Sequence, residues 1–204
     1  MSISWKEIYE MFRTSPNKID LVMADSGDKE IIEELNIKEQ SALGQILVHA
    51  STIVINGYLN ILAKDANEEG LVFFNNKIKA YYPGNKLIIA YDVWGGIFSI
   101  SNGDFDGNAQ KIWYYAPDSL MWECLDIDYA DFIVWICSEN IKSFYKSFLW
   151  NEIDSILKKM KNGEGILVYP FLWSNECVIE NANKEIVPIE ELITLNLEYE
   201  KMLN

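Results

Sequence analysis

Imidazole is nearly absent from this chain of 204 residues: His49 is its one histidine. Ser-His-Asp and Cys-His catalysis both need an imidazole to carry a proton. His49 sits between Val48 and Ala50 in a stretch that reads as a strand, with no nucleophile-elbow sequence anywhere. It is read as a packed strand histidine, and hydrolytic chemistry of that kind is set aside. Cysteine is scarce as well. Cys124, Cys137 and Cys177 are odd in number and widely spaced, and no CxxC occurs. That excludes a structural zinc framework and fits a reducing compartment. No run of apolar residues approaches the length of a membrane span. The opening stretch, MSISWKEIYEMF, lacks the basic start and apolar run of a signal peptide, so the expected location is cytoplasmic. Positive charge is the last deficit. Lys and Arg number 17 against 31 Asp and Glu, a formal net charge of −14. Such a field repels phosphate backbones and anionic membrane surfaces, so no nucleic acid and no membrane are expected as partners. It favours solubility, and it attracts a basic protein.

What the chain has in quantity is apolar and aromatic mass. Half of it is hydrophobic, with Trp 7, Tyr 11 and Phe 9, enough for a sizeable core without staples. Ser4 and Glu7 form a capping box ahead of Trp5, Ile8, Tyr9 and Phe12, which share one helical face. Ser15-Pro16-Asn17 ends that helix. Ile19 to Ala24 reads as extended, and Asp28 to Leu35 as a second, acidic helix. Ile46-Leu47-Val48 and Thr52 to Ile55 read as strands, and Asn56-Gly57 as a hairpin turn into Tyr58 to Leu62. Lys64 to Gly70 reads as a loop, Leu71 to Phe74 is ambiguous between strand and helix, and Tyr82 to Asn85 reads as a turn. Leu87 to Tyr91, Phe98 to Ile100, Lys111 to Ala116 and Trp122 to Leu125 are strands joined by links too short for parallel crossovers. They predict an antiparallel meander. Helical spacing then returns at Tyr129 to Cys137, Ile141 to Phe148 and Ile153 to Met160, with Gly163 as a stop. Gly165 to Tyr169 and Val178 to Val187 read as strands around an Asn181-Ala182-Asn183 turn, and Pro188 opens a last helix. The expected architecture is a single α+β domain over 1–204. It has N-terminal helices in 1–40, a strand-rich core in 41–126, a helical segment in 127–162, and C-terminal strands and a helix in 163–204.

Few residue patterns suggest chemistry. Asn102-Gly103-Asp104-Phe105-Asp106-Gly107-Asn108 places oxygen ligands at alternate positions, like the start of a calcium loop. The twelfth position is Trp113 rather than Glu, and Asn-Gly and Asp-Gly are common hairpin residues, so a turn is the favoured reading. Gly95-Gly96 lacks a phosphate-loop context and reads as a tight turn or a close backbone approach. Asp92 and Asp118 are the carboxylates best placed for a glycosidase-like pair, each with a plainer role at a strand end or turn. Strand alternation puts Trp113 and Tyr115 on one sheet face and Ile112 and Tyr114 on the other, and Trp94, Trp122 and Trp173 lie near predicted turns or strand ends, where a ring could meet a partner or fill the core. No metal or cofactor is expected.

Several of these strings also occur together elsewhere. Ser41 to Gly44, Ile55 to Leu62, Asp92 to Phe98, Tyr114 to Trp122 and Tyr169 to Trp173, in that order, resemble the bacterial domain-of-unknown-function family 2625 over nearly the whole chain. The family pattern has an acidic residue or His and a Trp around the turn that is Asn56-Gly57-Tyr58 here. It has Gly-Ser-Gly where this chain has Ala63-Lys64-Asp65. The family carries no established activity, so it implies no catalytic residues. The meander followed by an aromatic helix is similar to the SUKH superfamily, many of whose members are immunity proteins. That likeness implies an α+β, SUKH-like fold and a protein-binding role.

Three functional expectations follow. The first is a non-enzymatic, immunity-type protein that binds a basic partner. The second is a small-ligand or carbohydrate-binding protein or enzyme that uses Asp92, Asp118, Gly95, Gly96 and nearby rings in a pocket. The third is a homodimer formed through an exposed apolar patch.

Overall fold

Ser4 shows how literally the local code is followed at the start. Its backbone N–H donates to Glu7 Oε2 at 2.8 Å, and Glu7 N–H donates back to Ser4 Oγ. The capped helix α1, Trp5–Thr14, buries Ile8 and Phe12, leaves Trp5 half-buried and exposes Tyr9. The computed structural model describes residues 3–25, 30–64, 70–81, 84–101, 103–105 and 110–203.

Among the described residues, seven strands form one sheet whose spatial order is the chain order: β1 (Ile19–Met23), β2 (Ala50–Ile55), β3 (Leu59–Ile61), β4 (Leu87–Asp92), β5 (Ile97–Ile100), β6 (Ile112–Ala116) and β7 (Met121–Cys124). Every neighbouring pair is antiparallel. The expected α+β meander is present, and it extends to both edges. Register sorts the side chains into two faces, because directly paired residues point the same way. One row runs Leu21, Ile53, Ile61, Ala90, Phe98, Tyr114. Helix α5, Tyr129–Ile136, and helix α6, Asn140–Phe144, cover it: Phe98 lies 5.2 Å from Phe132, and Tyr114 lies 5.0 Å from Phe144. The opposite row runs Val54, Asn60, Tyr91, Ile97, Tyr115, Trp122. Helix α4, Leu71–Ile78, stacks Phe74 on Tyr91 there, and helix α8, Ile189–Leu203, lies by Tyr115. A separate hairpin, β8 (Glu164–Tyr169) with β9 (Asn183–Pro188), packs on α8 and joins the sheet through Ile166 N–H to Val93 O at 2.6 Å.

Several elements differ from the sequence reading. Ile46-Leu47-Val48 is helical, inside α3 (Ala42–His49), where Ser41 Oγ caps the Gly44 N–H at 3.1 Å. Burial of six of its eight residues removes the amphipathic signature that betrays a helix. His49 is therefore a helix end, stacked on Trp5 at 5.1 Å, and not a strand residue. The ambiguous Leu71 segment is α4. The Ile141 helix breaks after Phe144 into a 3-10 turn at Lys146–Phe148, and α7 is short, Ile153–Leu157. Gly163, at φ 76°, turns the chain into β8 well beyond the end of α7. Of Val178 to Val187, only the part from Asn183 is strand, and Pro188 closes β9 one residue before α8 begins. The second helix, α2, is Glu30–Glu34; the expected start at Asp28 lies outside the described residues. So do residues 65–69 of the expected loop, and Tyr82 and Pro83 of the expected turn.

Candidate functional site

The turn between β4 and β5 is built around one carboxylate. Asp92 is fully buried and accepts four hydrogen bonds. Trp94 N–H (3.0 Å) and Gly96 N–H (2.9 Å) donate to Oδ1. The hydroxyls of Tyr114 (2.8 Å) and Tyr145 (3.1 Å) donate to Oδ2. Burial pushes the Asp92 carboxyl up to about 6, against the pull of those four donors. The hydroxyls of Tyr114 and Tyr145 are in turn raised well above the usual phenol range, first by burial and then by the adjacent Asp92 charge.

The two glycines serve this knot differently. A Cβ on Gly96 would overlap the Asp92 carboxylate and the Tyr114 hydroxyl, so Gly96 is a close approach. Gly95 takes φ +87°, and a Cβ there would also stand 2.9 Å from Asn196 Nδ2 of α8. Trp94 is buried among Tyr58, Tyr145 and Phe148 at centroid distances of 5.5, 5.2 and 5.4 Å. Tyr58 comes from the Asn56-Gly57 turn, whose two residues have φ of 51° and 77°, as a type I′ hairpin requires. Asn56 Nδ2 donates to Tyr58 Oη and to Asn17 Oδ1, and Asn17 Nδ2 donates to the carbonyls of Ile136 and Ser138 at the end of α5. Two hairpin turns and two helices are thus locked together at one end of the sheet.

The structure divides the residues singled out in the sequence. Asp92, Trp94, Gly95 and Gly96 are buried together at the β4–β5 turn, whereas Tyr115 is buried on the opposite sheet face, its Oη donating to Asn196 O at 3.3 Å. Burial and the neighbouring Glu200 carboxylate raise that phenol. Asp118 is exposed on the turn after β6, so it makes no open carboxylate pair with the enclosed Asp92. Trp122 is half-buried against Tyr115 and Phe105, at 5.4 and 5.1 Å. Trp173 is half-buried with Phe171 and Tyr199. Tyr114, Tyr145 and Asn196 completed this region without being singled out. Tyr114 was legible as a sheet residue, but nothing near Tyr145 or Asn196 in sequence marks them as partners of the β4–β5 turn.

Two grooves open elsewhere. One, of about 690 Å3, lies between Leu35, Ile37, Leu43, Ile100 and Tyr129. The other, of about 760 Å3, runs over Thr52, Val54 and Asn60 beside Leu157, Lys158 and Lys161. Neither is lined by any of the sequence-expected site residues. Among the described residues, no group of three or more His, Cys, Asp or Glu side chains is placed to hold a metal. Of the calcium-loop-like stretch, Asn102, Asp106, Gly107 and Asn108 lie outside the described residues. Asp104 spends its carboxylate on the 84–86 segment, accepting from Asn85 N–H at 2.6 Å and pairing with Lys86 at 3.4 Å. Among the described residues, no helix is long and apolar enough to cross a membrane.

An aromatic α+β protein, with a seven-strand meander and a buried carboxylate knot where its longest sequence strings meet, is the class these features define. The chain belongs to the family described as protein of unknown function DUF2625, whose model matches residues 2–192. Among its relatives, uncharacterized protein YbfG of Escherichia coli is 25% identical over 192 residues, covering 93% of this chain and 88% of YbfG. An uncharacterized protein of Haemophilus influenzae is 24% identical over 196 residues, covering 92% of this chain and 86% of that protein.

Proposed function

We propose that this protein is a non-enzymatic binding module whose partner is a basic protein. The observation that supports it is the distribution of acid. The chain carries a net charge of −14, and among the described residues Asp92 is the one buried carboxylate, so the other described acids stand at least partly at the surface. A surface of that sign steers a cationic partner and repels nucleic acid. The central constellation, meanwhile, is spent on packing. Asp92 presents no exposed surface to a substrate, and its four donors come from the chain itself. The finer form of the reading, drawn from the SUKH likeness, is an immunity-type factor that occludes a basic toxin or nuclease.

The experiment is affinity capture from cells of the source organism across a salt series. A specific basic protein is expected at low salt, released progressively as ionic strength shortens the reach of the field. Capture of no protein, or capture indifferent to salt, overturns the reading.

A further inference from the structure

We propose that the surface formed by Tyr169, Phe171, Trp173 and Tyr199 receives an arginine-bearing segment of the partner. The inference rests on the binding reading above and adds a place and a chemistry to it.

Three of these rings form a closed triangle. Phe171 and Trp173 stack at 5.1 Å and 15°, and Tyr199 of α8 lies 5.1 and 5.0 Å from them. All three are half-buried, and Tyr169, 5.7 Å from Phe171, is 59% exposed. The apolar surface continues along the helix. Met202 and Leu203 are 75% and 62% exposed, and they stand three and four residues beyond Tyr199, on the same helical face.

The setting is strongly acidic. Residues 163–204 contain eight glutamates and two lysines, with no arginine, histidine or aspartate. Glu198 adjoins Tyr199 in sequence, Glu176 follows Trp173 by three residues, and both are exposed. Among the described residues neither carboxylate is in an ion pair, and none of the four rings has a cation over its face. Elsewhere the fold fills such positions with its own lysines: Lys86 stands 5.1 Å over Phe105, and Lys184 4.9 Å over Trp150. Rings without a cation, carried on a strongly acidic stretch of chain, complement a guanidinium. It stacks flat on an aromatic face while its N–H fork bonds a carboxylate, a combination that the compact ammonium of lysine cannot match.

Titration calorimetry of the whole protein at low salt, with an arginine-rich peptide and a lysine-rich peptide of equal length and charge, tests this. The arginine peptide is expected to bind roughly fivefold more tightly. Tyr169→Ala, an exposed change that leaves the triangle in place, and the double change Glu176→Gln with Glu198→Gln are each expected to weaken it about three- to tenfold. Glu33→Gln with Glu34→Gln on α2 removes the same charge and is expected to cost less than about twofold. Circular dichroism verifies that each variant is folded. Equal affinity for the arginine peptide in every variant overturns the surface and leaves the basic-partner reading standing. Equal affinity for the two peptides overturns the arginine assignment. Failure of the unaltered protein to bind either peptide overturns both readings. A dimer dispersed by Tyr169→Ala in sedimentation assigns the surface to a second copy of the chain and overturns the proposal.

Discussion

Asp92 makes a sign-specific demand on stability. Its carboxyl titrates near 6 in the folded protein against 3.8 for an ordinary aspartate, so the fold holds this proton more tightly than the unfolded chain does. The stabilisation is fully present below about 3.8 and is lost as pH rises through about 6, a change of about 3 kcal/mol. Asp92→Asn keeps an acceptor for the two backbone N–H groups and cannot ionise. Relative to the unaltered protein, it is expected to gain about 3 kcal/mol between about pH 4 and about pH 7.5, read from urea unfolding of both proteins at each pH. Tyr145→Phe removes one donor from a buried anion. It should destabilise by about 1–3 kcal/mol at neutral pH and by less at pH 4, where the carboxyl is protonated. Gly96→Ala forces a methyl group into the carboxylate and the Tyr114 hydroxyl, and a loss of about 3 kcal/mol or failure to fold is expected in thermal melts. The Gly95-Gly96 pair was legible as a turn or close approach, and each glycine proves to do one of the two. The identity of what is approached was not legible. Tyr145 lies 53 residues from Asp92, and no periodicity links a helical tyrosine to a strand-end aspartate.

At the scale of elements, local signals were read well at the first helix and at the first hairpin turn. The capping box at Ser4 and the Asn56-Gly57 turn are both realised. The largest error falls where a helix is buried on most of its faces. In α3 the sequence Ile46-Leu47-Val48 carries β-branched residues and no polar face, so packing decides between helix and strand. The decisive clue was present at Ser41, whose hydroxyl caps the helix. Ser41→Ala is accordingly expected to cost about 1 kcal/mol in chemical denaturation. The hairpin β8–β9 was half-read, because Val178 to Ala182 have strand-like residue types but are closed into turns by hydrogen bonds from Asn181 and Ala182 N–H to Val178 O.

For the molecule as a whole, the run from β4 to β7 was the most legible feature, since its links are too short for crossovers; the β1–β2 and β3–β4 links are long enough to hold helices and gave no such signal. Which face each aromatic ring would occupy was partly legible from strand alternation. Which rings would remain at the surface was not, because exposure depends on where α8 and the 169–173 segment come to rest. The salt-dependent capture expected of the protein is a whole-molecule property and follows from the acid excess. The strict succession of strands carries a different consequence. Each strand finds its partner in the one just before it, so the sheet can grow outward from any hairpin as the chain leaves the ribosome. The last hairpin meets the sheet through Ile166 N–H and Val93 O. The aromatic surface that this hairpin and α8 carry is therefore synthesised after all seven strands of the sheet, and because Leu192, Ile193 and Leu197 of α8 are buried in the core, that surface and the cover of the Tyr115 face arrive together.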